Sequence, residues 1–184
     1  MRKLIANSYD FERVDSHHKH YKYDFVSIGK ESIEIPKRVS IRTIDYNGFY
    51  NLGFGDIVIN EDGTERIDDK SKNLSKVNPD YVLNTALLCG ADFLSNTTGT
   101  TLVFYGNTMA KHRLYKMKIC NRFDELSEYF LIKGGVIKND VQFDPDGFKI
   151  GVEGGMINPD DVAIEEFNIS RSSDYHFLTF ESRP

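Results

Sequence analysis

Apolar and polar positions alternate from Tyr23 onward. Phe25, Ile28, Ile33, Ile35, Val39 and Ile41 fall in two period-two runs on either side of Gly29-Lys30-Glu31-Ser32. That spacing predicts a β-hairpin closed by a glycine-containing turn. Pro36 has no N–H to give a sheet ladder, which points the second run towards an edge or a bulge. Residues 49–59 read as a third strand, interrupted by Gly53-Phe54-Gly55. Two glycines around one aromatic fit a bend where another group comes close to the backbone. Residues 1–22 are polar and His-rich, and read as an N-terminal segment holding a short strand and a loop. Residues 60–77 are charged and aperiodic, with Asp62-Gly63 as a turn signal, and read as a loop.

At Asn78 the period changes. Asn78 suits a helix cap, Pro79 the first helical position and Asp80 the first turn. Val82, Ala86, Cys89 and Phe93 then share one face, widened by Leu83, Leu87 and Leu94, so a helix is predicted from 79 to about 95. Thr101 to Tyr105 is a short β-rich run ending at Gly106, and a second helix is predicted to open at Thr108 and run to about 122. Strands are expected at 128–136, 141–143, 148–152, 163–169 and 175–180, with polar connectors at 153–162 and 170–174. Strands gathered before and after two helices predict an α+β fold. The expectation is a largely antiparallel twisted sheet with about two helices packed on one face.

The length of 184 residues suits a single domain, with 144–174 as an insertion or extended hairpins. A 40% hydrophobic fraction that includes 13 Phe and 10 Tyr is enough for a packed core. Two cysteines, Cys89 and Cys120, do not make a disulfide scaffold and read as buried free thiols. No secretory leader or membrane-length apolar run is legible, so a cytoplasmic protein without a membrane partner is expected. The net charge of −5 argues against a surface built as a whole to neutralise a phosphate backbone.

Four constellations could carry chemistry. The first is the turn from Tyr105-Gly106-Asn107-Thr108 into Lys111-His112-Arg113, where helix N–H groups and cations would suit a phosphate or carboxylate. Asn107, Thr108, Lys111 and Arg113 are its candidate anion-binding residues. Lys111, Lys118 and Arg122 form a basic face near Tyr115. Arg113 falls nearer Met117 and Cys120, where burial against a carboxylate is expected. A capped helix with a solvated basic face is the plainer alternative. The second is acidic, Asp56, Glu61, Asp62, Asp68, Asp69 and Asp80, of which Asp56, Asp68 and Asp69 could hold Mg²⁺ or Mn²⁺, although loop aspartates more often serve turns and caps. The third, Asp144-Pro145-Asp146-Gly147 with Glu153, is an imperfect calcium loop better explained by a β-turn. The fourth, His17-His18-x-His20, lacks the further cluster needed to complete a tetrahedral site.

Several of these segments together resemble an uncharacterised family of small, stand-alone intracellular bacterial domains. They are Tyr50-Asn51-Leu52-Gly53-Phe54-Gly55-Asp56, Asp68-Asp69, Asn78 and Asp80 with Thr85, and Gly106-Asn107-Thr108 with Arg113-Leu114-Tyr115. The family pattern has a Gly-Ser-Thr turn and two arginines before Leu-Tyr. Here Asn107 and Lys111 replace the serine and the first arginine. The resemblance covers roughly residues 20 to 135 and implies no activity, cofactor or partner.

Three functions remain open. One is a non-catalytic interaction protein without cofactor, binding a protein partner or a small anion, in the setting of a bacterial defence or toxin–antitoxin-like module. The second is a metal-assisted phosphoryl or phosphodiester enzyme acting on a nucleotide or RNA. In it Asp56 with Asp68 or Asp69 would hold the metal, Arg113 and Lys111 the phosphate, and Tyr115 or His112 the proton. The third is a basic-helix nucleic-acid binder, which needs Lys111, Lys118 and Arg122 all exposed.

Overall fold

The computed structural model describes residues 6–17, 19–29, 32–44, 48–68, 77–137 and 162–183. The chain divides into two compact units, Met1–Arg42 with Leu52–Phe93, and Thr43–Asn51 with Leu94–Pro184.

In the first unit, β1 (Phe11–His17), β2 (His20–Ile28) and β3 (Glu34–Thr43) form an antiparallel meander. Next to β3 comes β4 (Phe49–Ile59), whose residues from Leu52 onward belong to this unit, and β5 (Glu65–Asp68) pairs antiparallel with β4. The predicted hairpin is therefore present, with Tyr23 opposite Val39 and Phe25 opposite Lys37. Alternation buries Tyr23, Phe25, Ile35, Val39 and Ile41 on one face. Pro36 does not sit on an edge strand. It is the third residue of β3, opposite Val26, and β3 has a neighbour on each side. A proline this close to a strand end removes one ladder bond without ending the pairing.

Residues 60–68 correct the expectation of a loop. Asn60 N–H donates to the Thr64 carbonyl at 2.8 Å, and Asp62 Oδ1 accepts from Thr64 N–H and Oγ1–H. Gly63 supplies φ +81°. These contacts make Asp62-Gly63 the tip of a hairpin, and four residues suffice for β5. Its charged sequence, Glu-Arg-Ile-Asp, hides it from a periodicity reading.

Helix α1 (Pro79–Asn96) closes the unit, its residues up to Phe93 belonging to it. Asn78 Oδ1 accepts from Asp80 N–H at 3.0 Å, as the cap chemistry requires. Val82, Ala86, Cys89 and Phe93 are wholly buried, the larger ones contributing roughly 2 kcal/mol each. Polar groups fix the helix against its surroundings: Tyr23 Oη–H donates to Asp92, Asn84 donates to the Asn7 carbonyl, and Thr85 Oγ1 accepts from Tyr9 N–H.

The second unit holds β6 (Thr101–Phe104), β9 (Phe177–Ser182), β7 (Phe130–Ile137) and β8 (Val162–Glu166), side by side in that order with antiparallel pairing. It also holds α2 (Met109–Cys120), α3 (Phe123–Ser127) and a 3-10 helix (Ile169–Asp174). Phe104 stacks on Tyr115 at 5.3 Å and meets Phe180 edge-on, which meets Phe130 in turn. Gly134 and Gly135 lie inside β7. A Cβ there would stand 2.3 Å from the Tyr175 ring and 2.1 Å from the Phe177 ring, so each ring takes the space a side chain would need.

The class is α+β with extensive antiparallel pairing, but the described residues hold nine strands, three α-helices and a 3-10 helix, where about two helices were expected. The strands expected at 141–143 and 148–152, and the Asp144–Glu153 loop, lie outside the described residues. No described helix is long and apolar enough to cross a membrane.

Candidate functional site

Asp56 follows the Gly53-Phe54-Gly55 stretch on β4 and is buried. The strand continues through both glycines. The close approach expected there occurs at Gly55, where a Cβ would meet the Asp68 carbonyl oxygen at 2.6 Å. Asp56 and Asp68 are direct cross-strand partners, so two carboxylates named as metal ligands do come together. Asp56, however, is engaged by the Lys37 ammonium, and both side chains are under 10% exposed. Lys37 belongs to the sequence Ile35-Pro36-Lys37-Arg38-Val39, on the parity of the buried residues. A charge at an inward position was the readable sign of this pair. Asp69 lies outside the described residues. Among the described residues, no three His, Cys, Asp or Glu side chains are grouped to hold a metal ion. His17 is exposed beside Asp15. His20 accepts from Arg42 Nε–H at 3.1 Å and lies 2.7 Å from Ser40 Oγ, and burial lowers its pKa.

The basic segment lies in the second unit. Thr108 caps α2, its Oγ1 accepting from Lys111 N–H at 3.2 Å. The helix turns inward on His112, Tyr115 and Ile119, which sets Met109, Arg113 and Met117 outward. Arg113 is therefore exposed, against the expectation of burial, because the inward face is centred on His112 and Tyr115 instead of Met117 and Cys120. Asn107, Lys111 and Lys118 are half-buried. Arg122 is half-buried too, and makes a bidentate pair with Glu125, so the basic face is neither wholly exposed nor wholly uncompensated.

His112 ties the unit together. Its Nδ1 accepts from Gly106 N–H at 3.4 Å, and its Nε2–H donates to the Tyr175 carbonyl at 3.1 Å. Those partners require the neutral ring. Burial pushes its pKa down to about 4, with the nearby Lys116 and His176 acting in the same direction. Lys116 also donates to the Tyr175 carbonyl, at 3.0 Å, and its own pKa is lowered by burial. Gly106 must be glycine, because a Cβ would stand 2.2 Å from His112 N. Tyr115, the other proposed proton carrier, is buried in the aromatic stack.

A further feature, unflagged by any sequence motif, is an open groove of about 630 Å³ in the first unit. Its apolar floor is Val26, Pro36 and Ile57, on the sheet face opposite the buried Phe25 parity, and Tyr9, Phe11 and Phe25, whose rings pack on the other face, contribute only at its edge. Val26 is 44% exposed, and Ile28 and Ile59 extend the apolar surface at 46% and 74%. Asp10, Glu12 and Asp24 border it. Asp24 is held by Arg38 in two 2.6 Å bonds, and Arg38 reaches Glu65 as well. Asp10 and Glu12 are exposed and form no ion pair with any described residue.

No curated protein and no solved structure matches the chain. A family of unknown function, DUF6934, matches residues 6–152, which takes in the groove, the Asp56 strand and the capped basic helix, and the chain belongs to that family.

Proposed function

We propose that the protein is a non-catalytic binding protein of the cytoplasm that recognises a protein partner through the groove of its first unit. The observation that carries this reading is the apolar floor of Val26, Pro36 and half-buried Ile57, bordered by Asp10 and Glu12, which pair with no cation among the described residues. Contiguous exposed apolar surface with a polar rim is the usual mark of an interaction site. Three of the residues that would serve an enzyme are engaged within the protein. Asp56 holds Lys37, His112 is a neutral strut, and Tyr115 packs in the core. The half-buried, Glu125-paired Arg122 likewise removes support from a nucleic-acid-binding helix face.

The test is affinity purification of the tagged full chain from its own cell at low salt, read by native mass spectrometry and by absorbance ratio. A stoichiometric protein partner without a nucleotide signal is expected. A bound metal, nucleotide or RNA in place of a protein would refute the reading.

A further inference from the structure

The groove also specifies the chemistry of what enters it, and this inference rests on the binding reading above. We infer that its ligand is a segment of a partner protein that presents a lysine or arginine beside a branched aliphatic side chain. The floor offers no charge and little hydrogen bonding. Val26, Pro36 and Ile57, continued by Ile28 and Ile59, can be covered only by apolar groups. The groove is open to solvent, so it suits side chains of a segment laid across it.

The rim sets the sign of the partner's charge. Asp24, the innermost acid, already has the Arg38 guanidinium, so it neither repels an incoming cation strongly nor needs one. Asp10 and Glu12 have no such partner among the described residues, and both stand beside the apolar floor. A cation seated there gains two carboxylates while its aliphatic stem lies on Val26, an arrangement lysine and arginine side chains favour. A phosphate-bearing ligand or an anionic membrane would meet those same carboxylates and be repelled. Tyr9 holds the acidic stretch in place: its N–H is bound by Thr85, and its ring stacks on Phe25 at 5.9 Å. The backbone next to the rim is thus anchored to α1.

The experiment measures fluorescence anisotropy of the full chain with labelled hexapeptides carrying lysine or arginine next to valine, leucine or isoleucine. Matched panels replace each cation by glutamine or glutamate. The cationic aliphatic panel should bind, with affinity falling as salt rises. The Asp10→Asn/Glu12→Gln double variant should weaken it about fivefold or more, as expected for two rim charges. Val26→Thr, which keeps the strand, should weaken it independently. Equal binding of all panels, no binding by any, or an unchanged affinity in the double variant overturns the inference. The same double variant separates this from the reading it rests on. If a partner co-purifies equally with wild type and variant, the charge inference fails and the binding reading stands. If no partner comes with either, the binding reading itself falls.

Discussion

Lys37→Met removes the ammonium that holds Asp56 and leaves a carboxylate inside the first unit. Both side chains are under 10% exposed, so the carboxylate that loses its ammonium has little access to water. Breaking a buried pair from one side costs about 3–5 kcal/mol, most of it the desolvation of the charge left behind. Against a total stability of about 5–15 kcal/mol, that is a large fraction. With a urea m-value of about 2 kcal/mol/M, the midpoint should drop by roughly 1.5–2.5 M. Asp56→Asn should cost a comparable amount, because it strands the ammonium instead. The double substitution Lys37→Met/Asp56→Leu puts apolar groups in both places and should recover much of the loss, since such replacements are often neutral or stabilising.

Urea titration followed by tyrosine fluorescence and far-UV circular dichroism provides the assay, the chain having 10 Tyr and no Trp. Coincidence of the two probes licenses the free energies, which the presence of two compact units makes necessary to check. Single substitutions that each cost under about 1 kcal/mol would show the pair to be solvated, and the argument would fail. Strict additivity of the two singles in the double variant would refute the coupling just as directly.

Other outcomes follow from the same contacts. His112 has its pKa lowered to about 4, so its neutral form contributes stability that is whole above the unfolded value near 6.5 and is lost as pH falls to about 4. The loss attributable to it is on the order of 2–3 kcal/mol, read as the difference in pH dependence between wild type and His112→Gln; identical profiles would refute it. Gly106→Ala forces a Cβ onto His112 N and should lower stability by about 2 kcal/mol or more in thermal melts. Gly63→Ala has open space around it but a left-handed backbone, so about 1 kcal/mol is expected; a cost equal to that at Gly106 would contradict the geometry.

Much of the fold was legible because single elements carry their own signals. The strand 49–59 has the bounds read from its alternation, and α1 was marked by Asn78, Pro79 and four apolar residues on one stripe. What was lost follows from two physical limits. β5 and α3 are too short, at four and five residues, for periodicity to register, and their stability comes from the neighbour each packs against. The face of α2 was misjudged because its buried set contains histidine and tyrosine. An apolar count prefers Met117 and Cys120, whereas a buried histidine with two backbone partners is invisible before those partners are placed.

The same limit explains why the sequence pointed to chemistry at Asp56 and His112 while the groove went unmarked. A conspicuous acid or histidine beside glycine signals that some group approaches closely, and here those groups belong to the protein: Lys37 at Asp56, and the backbone of Gly106 and Tyr175 at His112. An interaction surface leaves the opposite trace. Val26 and Pro36 alternate with buried neighbours as any strand residue would, and Asp10 and Glu12 look like ordinary surface acids. Only register reveals that Val26 faces Pro36 on the sheet face opposite Phe25, with no ion pair from a described cation to Asp10 or Glu12. Charges satisfied internally maintain the fold, whereas unpaired charges beside exposed apolar surface can reward a partner. By that criterion the acidic groove, and not the aspartate that follows Gly55, is where substitution should alter binding without altering stability.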